Sequence, residues 1–336
     1  MNEADSERLA AVFEKKGYQL AKKIGDADVI IINTCSVRES AENRVFGLIN
    51  NLIKNKQQTT KGKGKTQKII LTGCMVGSAK GERRRYTLTQ LKRKLPQVDE
   101  FKTIEELVGQ EEVAPKRKKT TSAFVSIMEG CDHFCSYCVV PYARGREISR
   151  PFDELVCEVE ELAKRGYKEI TLLGQNVNSY RPSFAKLLQH LHQIKGIKKI
   201  SFITSNPWDL TDEIIEAMSL PKIDRYLHLP AQSGDNRILK KMNRPYTTLQ
   251  YIKLVKKIRK KIPDIEIGTD IIVGFPGETK KAFGNTIDLC KKVGFVKAYI
   301  AKYSPRPGTA AFKFKDNVPP EEKKKRWRVL EELINK

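Results

Sequence analysis

The sequence predicts an α/β protein: a parallel α/β unit at the N-terminus, then a partial barrel of six parallel strands. Three observations point there. Apolar runs of strand length alternate with amphipathic helical patterns along the chain. The second series repeats this βα rhythm through six strand candidates. A basic, proline-marked stretch separates the two series. With 336 residues, 40% of them hydrophobic, the chain is long and apolar enough for two cores, which excludes wholesale disorder. No run of about 18 apolar residues is present to span a membrane. The first fifteen residues lack the basic start and apolar stretch of a secretory signal.

The N-terminal unit covers residues 1–113. Asp5-Ser6-Glu7 opens a helix with Leu9, Val12 and Phe13 on one face, and Gly17 stops it. Asp28–Asn33 is an apolar run short enough for a buried strand. Ser36–Lys54 reads as a helix with Val45, Leu48, Leu52 and Ile53 as its stripe. Lys54–Lys65 reads as an exposed loop and Lys68–Thr72 as the next strand. The unit begins on a helix, whereas parallel α/β layers usually begin on a strand.

The linker spans 114–121 and the barrel 122–318. Its strand candidates are Ala123–Met128, Glu169–Leu173, Lys199–Thr204, Arg225–Leu229, Ile265–Val273 and Val296–Ala301. Helical patterns over Asp153–Lys164, Ser183–His192, Asp212–Met218, Leu249–Lys261 and Thr279–Lys292 separate them. In such repeats the chemistry gathers at the C-terminal ends of the strands. Pro319-Pro320 then introduces a basic helix, so that 319–336 forms a short third segment.

Lys and Arg number 63 against 40 Asp and Glu, a net charge of +23. That excess suits a polyanionic partner, most often nucleic acid, or simply a lysine-rich solvated surface. Seven cysteines is an odd number, and three fall within eight residues. This pattern reads as reduced thiols or metal ligands in the cytosol rather than a disulfide framework.

Directly after the first barrel strand comes Glu129-Gly130-Cys131-Asp132-His133-Phe134-Cys135-Ser136-Tyr137-Cys138, with C-x3-C-x2-C spacing. Three thiolates on one short loop can converge on a single metal centre and leave one coordination position open. Structural zinc prefers four ligands, usually as two C-x2-C pairs, and no such partner follows. A cubane of four irons and four sulfides on three thiolates keeps one iron free for a ligand. An open iron–sulfur cluster is expected, with zinc or a redox thiol cluster as the alternatives.

This loop resembles that of the radical S-adenosylmethionine enzymes, whose mark is the same triplet with an aromatic residue, here Tyr137, before the last cysteine. Further stretches resemble the methylthiotransferase family of those enzymes and cover nearly the whole chain: Asn33–Glu39, Thr72–Cys74, Val140–Arg146, Ser149–Pro151, Leu173–Asn178, Leu227–Gly234 and Tyr303–Thr309. Asn33–Glu39 and Arg144–Pro151 are most similar to the branch that places a methylthio group on C2 of N6-isopentenyladenosine beside the tRNA anticodon. The resemblance implies a six-stranded radical S-adenosylmethionine barrel, two 4Fe–4S clusters and two molecules of S-adenosylmethionine. Cys131, Cys135 and Cys138 would hold the radical cluster. Cys35 and Cys74, each at the end of a strand, would hold the auxiliary one; on residues alone, two separate buried cysteines is the other reading.

The family's third auxiliary ligand precedes its first helix, so a strand and a cysteine are expected upstream of Met1. The family also ends in a small RNA-binding domain called TRAM, expected beyond Lys336. The chain is thus expected to be truncated at both ends. By the same resemblance Tyr137, Gln175, Asn176, Ser205, Gln232, Ile272 and Gly274 are candidate S-adenosylmethionine contacts. Asn206 stands where the family carries a histidine. The implied partners are the tRNA anticodon loop and an electron donor such as flavodoxin or ferredoxin. A cytoplasmic monomer without membrane contact is expected.

Arg144, Arg146 and Arg150 are candidate phosphate contacts. Cys157 and Cys290 read as small buried residues on helices. His133 reads as a loop residue, His190 and His192 as surface or packing residues. His228 is a candidate pocket residue. Alternative functions are methylthiolation of threonylcarbamoyl-adenosine in tRNA or of a ribosomal protein, or a non-catalytic iron–sulfur fragment that binds tRNA.

Overall fold

A computed structural model describes residues 1–37, 39–59, 67–109, 115–117 and 120–336. It divides into two compact units, one of residues 1–118 with 138–146, the other of 119–137 with 147–336. The expected linker 114–121 and the loop 54–65 lie in part outside the described residues.

The first unit runs α1 (Asn2–Lys15), β1 (Val29–Thr34), α2 (Glu39–Thr59), β2 (Lys68–Gly73), α3 (Cys74–Lys80), α4 (Leu88–Lys94), β3 (Glu100–Phe101) and α5 (Ile104–Val108), and gains α6 (Val140–Ala143). Its three strands are parallel in the order β1-β2-β3. Two apolar layers sandwich the sheet. Ile30, Ile32, Ile49, Ile69 and Leu71 lie in one, and Leu9, Val12, Ile70 and Val108 in the other. Two expectations are corrected here. α2 starts at Glu39, not Ser36; Ser36 stays outside, its hydroxyl on Glu42 at 2.6 Å. The helix also continues to Thr59, through residues read as loop, because Lys and Gln are good helix formers.

The second unit runs β4 (Ser122–Ser126), β5 (Met128–Glu129), β6 (Ile148–Ser149), α7 (Phe152–Lys164), β7 (Glu169–Leu173), α8 (Phe184–Gln193), β8 (Lys199–Phe202), α9 (Asp212–Met218), β9 (Tyr226–His228), α10 (Asn236–Lys241), α11 (Thr248–Lys261), β10 (Glu266–Val273), α12 (Lys280–Val293), β11 (Lys297–Lys302) and α13 (Pro320–Ile334). Six strands pair in parallel as β4-β7-β8 and β9-β10-β11. An isolated parallel bridge pairs Ile200 of β8 with Ile223, three residues before β9. The small β5–β6 hairpin is antiparallel.

Strand alternation gives this sheet two unlike faces. Val125, Leu172, Ile200, Leu227, Ile267, Ile271 and Ala298 belong to one continuous core with the helices. The opposite parity carries Ser126, Thr171, Ser201, His228, Asp270 and Tyr299. A closed barrel fills its interior with branched side chains. Here the opposite face is mostly polar and incompletely covered, with Tyr299 49% exposed, so that face is not packed as a core.

Candidate active site

The loops at the C-terminal ends of β7, β8 and β9 carry buried polar atoms with nothing to bind. Gln175 Oε1 and Asn176 Oδ1 follow β7, Ser205 Oγ follows β8 and Gln232 Oε1 follows β9; all four are buried and unpaired. An unpaired buried polar atom costs about 1–3 kcal/mol, so native folds keep few of them. Backbone strain coincides with these residues. Thr204 and Gln232 hold left-handed φ values of 72° and 62°, which a β-branched residue such as Thr rarely adopts. Both are pinned. Thr204 Oγ1 donates to Gly174 O at 2.7 Å, and Gln232 N donates to Asp270 O at 2.8 Å.

Gly274 follows β10 at φ 71°, and any side chain there would collide with Lys323. Its N–H donates to Glu278 Oε2 at 2.6 Å, and Arg326 holds the same oxygen at 2.6 Å. Ile272 is half-buried beside it and packs, with Tyr137, on the small core of Ile238, Met242, Phe275, Tyr303 and Ala311.

The cysteine loop is fixed by backbone bonds. Ser136 N donates to Met242 O at 2.9 Å, Ser136 Oγ to Lys241 O at 2.8 Å, and Asn243 Nδ2 to Phe134 O at 2.8 Å. Cys131 is buried, and burial pushes its thiol up to about 12. Cys135 is half-buried. Cys138 belongs with the first unit, where its sulfur accepts from Val140 N at 3.4 Å. Among the described residues, no three His, Cys, Asp or Glu side chains are drawn together as metal ligands.

Sequence reasoning missed Arg244. Its guanidinium lies 4.5 Å over Trp208 and 5.4 Å from Tyr246. It donates to Cys135 Sγ at 3.6 Å, Asn206 Oδ1 at 3.3 Å and Pro230 O at 2.8 Å, while its buried Nε has no partner. A buried cation with an unused N–H is a receptor for a carboxylate. The missed signal was a lone arginine after α10, which nothing in the pattern separates from a surface residue. Asp209 was missed as well. It accepts from Asn176 Nδ2 at 2.7 Å and bonds His133 Nε2 at 3.0 Å, so His133 ties the cysteine loop to the loop after β8. His228 bonds Asp270 Oδ2 at 2.9 Å on the polar face.

In the first unit Cys35 follows β1 and Cys74 opens α3. Gly73, at φ 80°, permits this turn; a side chain there would collide with Asn33 and Thr34. Burial raises the Cys74 thiol, Arg144 opposes that by charge and hydrogen bond, and Cys35 is near enough to raise it further. The two cysteines therefore lie together at one end of the sheet. Asn33 Oδ1 and Thr72 Oγ1 are buried and unpaired at the same strand ends.

Two expectations fail in the structure. Arg144 is not a surface phosphate contact: its side chain is 6% exposed and donates to Asp5 at 2.6 Å and Asn2 at 2.9 Å. Arg150 bonds Glu158 at 2.7 Å and is only half-buried; Arg146 is exposed. Cys157 is exposed rather than buried, because α7 buries Leu155, Val159 and Leu162 and turns position 157 away. Cys290 is buried as expected.

Comparison with known proteins follows the same division. Residues 125–290 match the Radical SAM superfamily, and residues 1–99 match the family described as Uncharacterized protein family UPF0004. Two relatives, from Clostridium tetani and a Thermoanaerobacter species, are each called tRNA-2-methylthio-N(6)-dimethylallyladenosine synthase. Both are 43% identical over 100% of this chain, which covers 79% and 76% of their lengths. Among solved structures, the radical S-adenosylmethionine methyltransferase TsrM from Kitasatospora setae superposes with a TM-score of 0.62 at 13% identity, over 91% of this chain and 73% of its own. Coproporphyrinogen III oxidase from Escherichia coli gives 0.51 at 16% identity, over 64% and 52%. At such identities these two structures bear on the fold alone.

Proposed function

The chain belongs to the family of tRNA-2-methylthio-N6-dimethylallyladenosine synthases, radical S-adenosylmethionine methylthiotransferases, and we infer that it exchanges the C2 hydrogen of N6-isopentenyladenosine in tRNA for a methylthio group. The observation that carries this reading is relatedness at 43% identity over the entire chain.

The C2–H bond of an adenine is neither acidic nor electrophilic, so acid–base side chains alone cannot replace that hydrogen. When bound, S-adenosylmethionine on a reduced 4Fe–4S cluster supplies the radical chemistry, and a second 4Fe–4S cluster supplies the sulfur centre. The donor chemistry suits these groups, with three thiols on one loop and two that follow adjacent paired strands. Cys131, Cys135 and Cys138 would hold the first cluster, Cys35 and Cys74 the second. Burial raises Cys131 and Cys74, so ligation at either must expel a proton. The unpaired carbonyl oxygens of Gln175, Asn176 and Gln232 are acceptors that suit the amino and hydroxyl groups of S-adenosylmethionine, and the Ser205 hydroxyl can either donate or accept. The free N–H of Arg244 suits its carboxylate. Tyr137, Ile272 and Gly274 form an apolar and backbone edge suited to the adenine.

We assign the auxiliary site to residues 1–113 and the radical site to 122–318. A one-electron donor such as flavodoxin or ferredoxin completes the requirement. Among the described residues no helix is long and apolar enough to cross a membrane, and a tRNA substrate suits a monomer in the cytoplasm. The test is nucleoside mass spectrometry of isopentenylated tRNA after anaerobic reconstitution with iron and sulfide, reductant and S-adenosylmethionine. A nucleoside heavier by methylthio in place of hydrogen is expected. Modification of threonylcarbamoyl-adenosine or of a ribosomal protein instead would overturn the substrate.

A further inference from the structure

The stretch after Thr309 carries residues that the reading above leaves unused. Phe312-Lys313-Phe314-Lys315 are four consecutive exposed residues. The two rings keep 49% and 39% of their surface in water. Isolated exposed apolar residues are ordinary; two rings interleaved with two lysines on one short turn are a composed surface. Asp316, the next residue, is drawn off by Lys323 at 2.6 Å and leaves the strip cationic.

The strip is held rigidly. Ala311, just before it, is fully buried. Tyr303 Oη donates to Ala311 O at 2.9 Å, and Ala311 N donates to Ser136 O at 2.7 Å. Ser136 lies between Cys135 and Cys138. Phe314 meets Phe275 edge-on at 6.2 Å. Phe275, Tyr303 and Ala311 form the small core on which Tyr137 and Ile272 rest. The strip thus shares its support with the candidate adenine edge.

We propose that Phe312 and Phe314, with Lys313 and Lys315, form a stacking platform for a single-stranded RNA loop, taking the nucleotides that flank the target base. Every base offers a π-face to a ring, and the phosphates between bases meet lysines spaced between the rings. A duplex keeps its base faces stacked and cannot use the rings. An apolar peptide would leave the lysines without a role. The proposal rests on the tRNA reading and specifies how the loop is held.

The test uses the whole chain and a labelled anticodon stem–loop RNA carrying N6-isopentenyladenosine, with 2-aminopurine at the nucleotide flanking it. Phe312→Ala with Phe314→Ala should weaken binding by about tenfold or more, abolish the protein-induced 2-aminopurine change and leave the salt dependence as it was. Phe312→Trp should restore both. Lys313→Ala with Lys315→Ala should instead lower the slope of log affinity against log salt by roughly 0.7 for each phosphate that is no longer neutralised. Phe312→Ala alone guards against a folding defect, since that ring is 49% exposed. Unchanged affinity and fluorescence in the phenylalanine variants, while the parent chain binds, would overturn the platform and spare the tRNA reading. No RNA binding by the parent chain would overturn both. Loss of a dimer in those variants, without loss of RNA affinity, would make the strip a self-contact and overturn the platform.

Discussion

The six barrel strands have one apolar face that packs into the core and one polar face that borders the proposed site, built by alternate residues of the same strands. Leu227 and Leu229 of β9 and its end are fully buried, while His228 between them meets Asp270 of the neighbouring strand β10 on the opposite face. On β10, Ile271 joins the core and Ile272 faces the candidate cofactor edge. Because the side-chain period is two, one strand serves both tasks with no extra sequence. The faces differ in what a substitution should cost, and that difference can be attacked from either side.

The largest effect lies with the ligands. Cys135→Ala should reduce 5′-deoxyadenosine formation to background and shift chemical unfolding by less than about 1 kcal/mol. Unfolding curves alongside product assays separate the two. Next comes the apolar face. Leu172→Ala empties a fully buried position and should cost about 2–5 kcal/mol. Its polar-face neighbour Thr171→Ala should stay within about 0.5 kcal/mol. Equal costs at 171 and 172 would dissolve the two-face account.

The apolar face was legible in the sequence because alternation and strand length are local. All six barrel strands fall where the apolar runs predict, to within two residues at most ends. Misreadings came where tertiary contacts decide. Arg144 looks like a phosphate ligand in sequence, but Asp5, far away along the chain, claims it. Cys157 sits among apolar residues in sequence and outside their stripe on the helix. Arg244 carries no local signal at all; only the fold brings it to Cys135, Trp208 and Tyr246. Of the seven residues taken from the family resemblance, Gln175, Asn176, Ser205 and Gln232 carry unpaired buried atoms, which no spacing rule could have revealed.

A subtler prediction sets stability against binding at one residue. Gln232 holds a left-handed φ of 62°. Gln232→Gly should relieve that strain and gain about 1 kcal/mol in stability, while S-adenosylmethionine binding weakens. Denaturation and equilibrium dialysis on the same samples check both signs. The smallest effect concerns pH. Burial pushes the Cys290 thiol up to about 12 from an ordinary value of 9.0. Between those values the unfolded chain loses this proton before the folded one, so stability should fall as pH rises through that window. Cys290→Ala should flatten the slope in urea titrations run across it.

The central claim is that the unpaired polar atoms at the strand ends form the S-adenosylmethionine site. Equilibrium dialysis of S-adenosylmethionine against the anaerobically reconstituted chain, beside the Gln175→Ala, Ser205→Ala, Gln232→Ala triple variant, tests it directly. The account predicts affinity at least about tenfold weaker in the variant, roughly 1.4 kcal/mol or more, with cluster content and unfolding midpoint unchanged. Equal affinity in the two proteins would contradict it and place the cofactor elsewhere.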